Sequence, residues 1–388
     1  MASTILGAAA AAGVGMLQYK RGAAPYAERG VLVRAIIAAC EDAGFDPADV
    51  DGFVSYGGDE VNEPVRFMPD LGTKELRFSP NVWGGGGGGL LAAVELAAMA
   101  IATGQAEAII VFRALVEGDT GRLSGAVMAH HVNNHYLTAG VMSPAQICAV
   151  QAQRMIRQHN LPASVVEALV QADYYHAERN PEAVAYGQKF ELETYRKSRM
   201  IAEPLRLFDC SRENDGAGAV LLVSAERAKD LRKKPVYLLA AEHGAYRGWG
   251  DLMQNDEDYT SAGMRPIAAR LWNKTGLCAK DIDVTQLYEN FTYQAIASLV
   301  DHGFTTWEGA GENITFENLI APSGKTPVNT SGGHLAQGFI HGINVLIEAV
   351  RQLRGESSNP VANARTCLVA GGPASPINSS AIFSNQLI

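Results

Sequence analysis

An α/β fold built from two related halves is what this 388-residue chain predicts. Three observations carry that reading. Continuously apolar segments of the buried-strand type alternate with segments whose apolar residues recur every three to four positions, the pattern of helices layered on a sheet. The same grammar occurs twice: GGGLLAAVELAAMAIATGQAEAIIVF and GGHLAQGFIHGINVLIEAVRQLRG…TCLVAGG each read as glycine turn, buried helix, gap and buried strand. From about residue 116 to 205 the texture turns polar and charged, as in a long insertion lying over a core.

Taken in order, ILGAAAAAGVG reads as a first buried strand. It lacks the basic head of a signal peptide, and Gly13 and Gly15 break its apolar run. AERGVLVRAIIAACEDAGF has helical spacing and stops on Gly44. DPADVDGFVSYGG places a short strand before a glycine turn. Six glycines, Gly84 to Gly89, then lead into a helix marked by Leu90, Val94, Ala97 and Ile101, and AEAIIVFRA follows as a buried strand. The insertion opens on the polar HHVNNHY and continues in charged helices, AQICAVQAQRMIRQHN and SVVEALVQADYYHAER. Strand and helix alternation resumes with NDGAGAVLLVSAERAKDL and KPVYLLAAEHGA. VTQLYENFTYQAIASLV reads as strand end, polar turn and helix, and ARTCLVAGGP as a strand ending in glycines. The expected division is 1–115 with 206–232 as one half, 116–205 as the inserted loop domain, and 233–388 as the other half.

A formal charge of −9 argues against nucleic acid as the main partner, because phosphate backbones call for a basic surface. Cys40, Cys148, Cys210, Cys278 and Cys367 show no CxxC spacing, which disfavours zinc or a disulfide framework and suits a reducing cytoplasm. No stretch approaches the roughly 20 uninterrupted apolar residues of a membrane span.

His131 and His135 stand four apart in HHVNNHY, but no acidic or cysteine partner adjoins them, so a polar lining or dimer contact outweighs a metal site. Arg196, Lys197 and Arg199 in ETYRKSRM suit the phosphates of a nucleotide-bearing ligand as well as they suit a solvated helix face. Asp209 and Asp215 in FDCSRENDGAG read as structural.

Several blocks together are specific: EDAGFDPADVDGFVSYGG, GGLLAAVELAAMAIATGQAEAIIV, NDGAGAVLLVSAERAKDL, LYENFTYQA, NTSGGHLAQG and the terminal AGG. On them the chain resembles the thiolase superfamily over nearly its whole length, closest to the sterol-carrier and lipid-transfer branch. That resemblance implies a five-layered α/β/α/β/α fold with two pseudo-duplicated halves and an inserted loop domain. It also implies acyl-CoA as ligand and dimeric assembly. The family places a nucleophilic cysteine on the turn into a buried helix, where the helix N-terminus lowers its pKa. Here Gly86 matches that position. The family's histidine of Gly-His-Pro is matched by Phe339, and its second cysteine by Leu368, with Cys367 one residue out of register. Without those groups, thiolytic or Claisen chemistry by the family's route is excluded.

A tyrosine, Tyr288 of Tyr-Glu-Asn-Phe, stands where the family carries Asn or His. That combination looks like the steroid side-chain aldolases of the lipid-transfer branch. These split a β-hydroxyacyl-CoA into a ketosteroid and a short acyl-CoA, typically propionyl-CoA. They work with a separate zinc-ribbon/OB-fold domain, often fused to a hydratase. The resemblance assigns acid–base work to Tyr288; Tyr293, five residues on, and His341, two beyond Phe339, are further candidates by their nearness, with packing or capping as the competing role for His341. Gly86, Gly87, Asn290, His334, Phe339 and the Ala370-Gly371-Gly372 turn are the expected substrate and CoA contacts, with backbone amides polarising the thioester oxygen. No metal or redox cofactor is implied, and coenzyme A enters only as part of the substrate. Two other readings stay open: a non-catalytic acyl-CoA-binding subunit, and an acyltransferase using Cys367.

Overall fold

The structure, a computed structural model, describes residues 5–57, 63–83, 86–120, 138–245, 258–373 and 375–387. The chain begins with β1 (Ala9–Lys20), α1 (Glu28–Ala43), β2 (Gly52–Tyr56), β3 (Asn81–Val82), α2 (Leu90–Ala102) and β4 (Ala108–Val116). There follow α3 (Pro144–His159), α4 (Ala163–Arg179) and a short hairpin, β5 (Met200–Ala202) with β6 (Leu205–Arg206). The remainder comprises β7 (Asn214–Ser224), β8 (Val236–Gly244), α5 (Arg265–Thr275), β9 (Val284–Leu287), α6 (Thr292–Asp301), α7 (Ile343–Arg354), β10 (Thr366–Gly371) and β11 (Asn378–Ser384).

The duplication expected from the sequence is visible in the pairing. The strand order is β3-β2-β4-β7-β1-β8-β11-β10-β9. In the first half β1 is antiparallel to β7, β7 is antiparallel to β4, and β4, β2 and β3 run parallel. In the second half β8 is antiparallel to β11, β11 is antiparallel to β10, and β10 and β9 run parallel. A parallel bridge from Thr285 to Val328 stands where β3 stands in the first half. Among the described residues the strands of the two halves pair only at Ala10–Tyr237 and Ala11–Val236, so they are two sheets sharing one short seam.

Five layers result. α1 covers the outer face of the first sheet, burying Val31, Leu32 and Ile36 against Phe53, Phe112 and Leu221. α5 covers the second sheet with Ile267 and Leu271 against Leu368 and Ile382. α2 and α7 lie between the sheets in one continuous core that includes Leu91, Val94, Val111, Leu222, Ile347, Val369 and Phe383. A helix packed on both sides must be apolar nearly all round, as the LLAAVELAAMAIA of α2 is. α1 ends at Gly44 in the left-handed region (φ 68°), whose amide bonds Cys40 O and Glu41 O. A Cβ at Gly13 or Gly15 would collide with the Ala39 or Ala35 carbonyl, so the breaks in the first apolar run let α1 lie directly on β1. α3, α4 and α6 build a separate cluster around Met155, Leu169, Val170 and Ile296.

The carboxyl ends of the parallel strands in both halves converge. Gly371 and Gly372 at the end of β10 lie against the backbone of Gly87 and Gly88 at the start of α2. Tyr56, ending β2, donates its hydroxyl to the His341 carbonyl at 3.0 Å. Such a crevice outside the strand ends is where open α/β sheets bind ligands. Among the described residues no helix is long and apolar enough to cross a membrane.

Candidate active site

Tyr288 is the first residue after β9, and its amide donates to the Ala370 carbonyl at 2.8 Å, tying it to the end of β10. Its ring is 4 % exposed and lies on the glycine turn. A Cβ at Gly87 would stand 2.8 Å from Tyr288 Cζ and closer still to two other ring carbons. Only glycine fits there. A Cβ at Gly86, which has φ +42°, would lie 3.2 Å from the Tyr288 hydroxyl. The phenol oxygen thus faces the position from which a thiolase-type side chain would project. Gly88 and Gly89 are excluded from carrying side chains by the Ile377 carbonyl and the Tyr56 Cβ. Gly84 and Gly85 lie outside the described residues.

Burial pushes the Tyr288 phenol above its ordinary value; a hydrogen bond from the Gly87 amide and the Arg113 charge oppose this without reversing it. The phenol is therefore neutral at pH 7. The Gly87 N–H, expected from the sequence to face a thioester oxygen, is engaged by the phenol oxygen.

Three rings meet Tyr288 or its neighbours edge-on. His334 stands 4.6 Å from it between centroids and Phe339 5.8 Å; Phe339 in turn lies 5.3 Å from His334 and 5.1 Å from His341. Phe339 is the hub, held by its amide bond to Asn214 Oδ1. His334 is locked. Its Nδ1 accepts from the Glu289 amide at 3.2 Å, so in the neutral ring Nε2 carries the proton and donates to Asn344 Oδ1 at 3.2 Å. Burial lowers its pKa to about 3, the Asn344 bond opposing. With both nitrogens engaged, His334 shapes the pocket and is not a base.

Behind His334 lie two buried carboxyls. Glu289 Oε1 accepts from the His334 amide at 2.9 Å, fixing the turn Gly333–Gln337. Burial, then the Glu289 charge, raises Asp173 well above the carboxylate range, while burial lifts Glu289 to about 7. Asp173 keeps a proton and donates it to Glu289. Because both folded values exceed the unfolded ones of about 4, the pair's stabilisation is complete at low pH and is lost as pH rises through about 7. Glu289→Gln supplies an amide donor to an ionised Asp173 and keeps an acceptor for the His334 amide. Thermal unfolding between pH 5.5 and 8.5 is expected to show a shallower fall in Tm for this variant than for the wild type. An unchanged slope would refute the shared proton.

His341 joins the ring cluster through Phe339, and its Nδ1 accepts from Arg113 Nε at 3.0 Å. Asn290 lies beside Tyr288 in the chain; its carbonyl accepts from the Ser211 amide at 2.8 Å, and its buried Oδ1 has no partner among the described residues. Tyr293 is not gathered with them. It sits on α6 beside Asp209, in the cluster that packs against α3 and α4.

Cys367 is fully enclosed on β10, and burial raises its thiol well above the ordinary value, so it offers no accessible nucleophile. Arg196 is forked onto Glu167 at 2.8 Å through both Nε and Nη2, and Lys197 pairs with Glu193 at 3.2 Å, which leaves Arg199 as the member of that trio without an ion pair among the described residues. Asp209 accepts from the Tyr195 and Thr292 hydroxyls, and Asp215 from the Gly118 amide. His131 and His135 lie outside the described residues.

Two site residues had no place in the sequence reading. Arg113, 1 % exposed on β4, is signalled by a lone charge inside the apolar AIIVFRALV. Asn214, at the start of β7, holds Phe339 by Oδ1 while its buried Nδ2 has no partner among the described residues. No local pattern marks it.

The architecture and the site have counterparts among known proteins. A family model described as thiolase C-terminal domain-like matches residues 245–385. The chain is 34 % identical over 390 residues, 95 % of its length and 97 % of the relative's, to a 17-hydroxy-3-oxo-4-pregnene-20-carboxyl-CoA lyase of Mycobacterium tuberculosis. It is 34 % identical over 388 residues, 96 % and 97 % of the two chains, to a steroid side-chain-cleaving aldolase of Thermomonospora curvata. A solved Ltp2-ChsH2(DUF35) aldolase superposes with a TM-score of 0.92 at 34 % identity, covering 98 % of this chain and 99 % of that one. The chain belongs to the thiolase superfamily, in the branch of the steroid side-chain-cleaving aldolases.

Proposed function

We propose that this chain is a thiolase-fold aldolase that cleaves a carbon–carbon bond in the β-hydroxyacyl-CoA side chain of a steroid. The products are a ketone on the ring system and a short acyl-CoA such as propionyl-CoA. The observation that carries the reading is the Tyr288 phenol standing in front of Gly86 and Gly87, where a thiolase would hold its thiolate.

In a retro-aldol cleavage the β-hydroxyl loses its proton as its oxygen becomes a ketone. The Cα–Cβ electron pair passes into the thioester as an enolate, and one proton is added at Cα. A neutral phenol serves both ends of this sequence. Tyr288 takes the hydroxyl proton while its own proton goes to the enolate carbon, so the phenol is regenerated and no covalent intermediate forms. The Gly87 N–H and the Arg113 charge temper negative charge on the phenol oxygen during the transfer. Asn214 Nδ2 and Asn290 Oδ1, both without partners among the described residues, supply a donor and an acceptor for substrate oxygens.

The assembly proposed with this activity is a homodimer joined to a DUF35-type partner of zinc-ribbon and OB-fold architecture, itself fused to a hydratase that would form the β-hydroxyacyl-CoA. Edge strand β3, followed by the 73 % exposed Trp83, suits pairing with a second copy. The test supplies a steroid β-hydroxyacyl-CoA to the chain with and without its DUF35-type partner, and measures products by mass spectrometry. Ketone and shortened acyl-CoA in equal amounts are expected. Absence of cleavage with the partner present would overturn the aldolase reading in favour of a non-catalytic acyl-CoA-binding subunit.

A further inference from the structure

Arg113 heads the large side chains that are wholly enclosed. A guanidinium buried without partners is costly, so the bonds it makes decide what it is for. Nη1 donates to the Tyr56 carbonyl at 2.8 Å, and Nε donates to His341 Nδ1 at 3.0 Å. The Tyr56 hydroxyl donates to the His341 carbonyl at 3.0 Å, closing a three-residue link across β2, β4 and the turn before α7. A Cβ at Gly57 would touch the guanidinium at 2.7 Å, so the chain leaves β2 through glycine to make room for it.

A guanidinium in a protein is always protonated, so its Nε can only donate. His341 Nδ1 can therefore only accept, and the neutral ring must carry its proton on Nε2. That Nε2 makes no hydrogen bond among the described residues. The backbone of His341 is left-handed (φ 47°), a conformation costing a non-glycine residue about 1 kcal/mol or more. It persists where the surroundings over-determine it, as the Tyr56 and Arg113 bonds do here.

We propose that Arg113 is a positioning residue that fixes His341 as a neutral Nε2–H donor, so that this histidine gives a hydrogen bond to a substrate oxygen and does not take up a proton. Among the described residues the groups facing the ring are Arg113 from β4 and His334 and Phe339 from its own segment, and none bears a negative charge. Burial, then the Arg113 charge, then His334 hold the ring well below its ordinary pKa. The substrate half of this inference rests on the aldolase reading; the tautomer does not.

The two halves are tested separately. Nitrogen NMR of the full chain labelled at histidine, with the His341 signals identified by their loss in His341→Gln, reads the ring at pH 7 without any substrate. An unprotonated Nδ1 and a protonated Nε2 are expected, with the single tautomer giving way to a mixture in Arg113→Gln. A protonated Nδ1 or an imidazolium in the wild type would overturn the proposal. Cleavage by the complex with its partner reads the second half. Glutamine places an N–H near the Nε2 position, whereas asparagine reaches only the Nδ1 position yet suits a left-handed backbone better. His341→Gln is expected to stay within about tenfold of the wild type, and His341→Asn to lose about 10²-fold or more, the cost of one hydrogen-bond donor to a developing oxyanion. Asparagine working as well as glutamine would mean a purely structural histidine. A wild type that cleaves nothing would sink the aldolase reading and leave the tautomer decided by the spectrum.

Discussion

Tyr288→Phe is expected to lower kcat for cleavage about 10³-fold, within the range for losing a positioned proton-transfer group, and to leave KM nearly unchanged. The substitution is a clean one because the ring keeps its packing against Gly87, His334 and Phe339. What goes is the hydroxyl, and with it the acceptor for the Gly87 amide. Leaving that buried N–H unpaired costs about 1–3 kcal/mol, so Tm falls by a few degrees while the fold stands. Kinetics and thermal unfolding on the same preparation separate the two effects. The phenol's direction of shift adds a check. Its pKa is raised, so the neutral form present below an ordinary tyrosine's pKa survives to higher pH and is lost only as pH rises through the higher folded value. A pH–rate profile should show no loss of activity from this group below about pH 10. Cleavage by Tyr288→Phe at the wild-type rate would remove Tyr288 from the mechanism.

Gly87→Ala is the second large effect. The new methyl would stand 2.8 Å from Tyr288 Cζ and nearer to two other ring carbons, and the ring cannot retreat. Gly342 and His334 back it, and its amide is tied to Ala370. Overpacking of this kind costs about 3 kcal/mol or more, with loss of cleavage because the phenol oxygen is displaced. Adding Tyr288→Ala removes the colliding ring, so the double variant should be at least about 1 kcal/mol more stable than the sum of the singles predicts. Strict additivity in denaturant unfolding would mean that Gly87 and the ring are not in contact. The same geometry shows why restoring a cysteine at Gly86 would not rebuild a thiolase: its Cβ alone lies 3.2 Å from the phenol oxygen.

The layered duplication could be read from the residues because it is written in local signals. Glycine turns, three-to-four periodicity and apolar strands each span a few positions, and they recur in both halves. Tyr288 is marked by its place in a short motif, and the glycine run by its cost. What the run is for could not be read there, since Gly87 meets a ring 201 positions away in the chain. The same holds for Arg113 with His341 and Asn214 with Phe339, separated by 228 and 125 positions. Such pairs are created by sheet order, which no spacing along the chain encodes. Arg113 did leave a trace, because a charge in an otherwise apolar strand must have a partner. Tyr293 stands apart from the site for the opposite reason. Five positions from Tyr288 looks near, but the turn into α6 points it at Asp209. Cys367 lies next to Leu368 near the start of β10, four residues before the Gly371 end, and it packs into the core between the sheets.

The most direct measurement is the mass of the intact protein during turnover with a steroid β-hydroxyacyl-CoA and the DUF35-type partner, quenched as ketone and acyl-CoA accumulate. A tyrosine relay in place of the thiolate predicts products rising with the protein at its unmodified mass throughout. An acyl adduct that forms and decays at the rate of product release would contradict it.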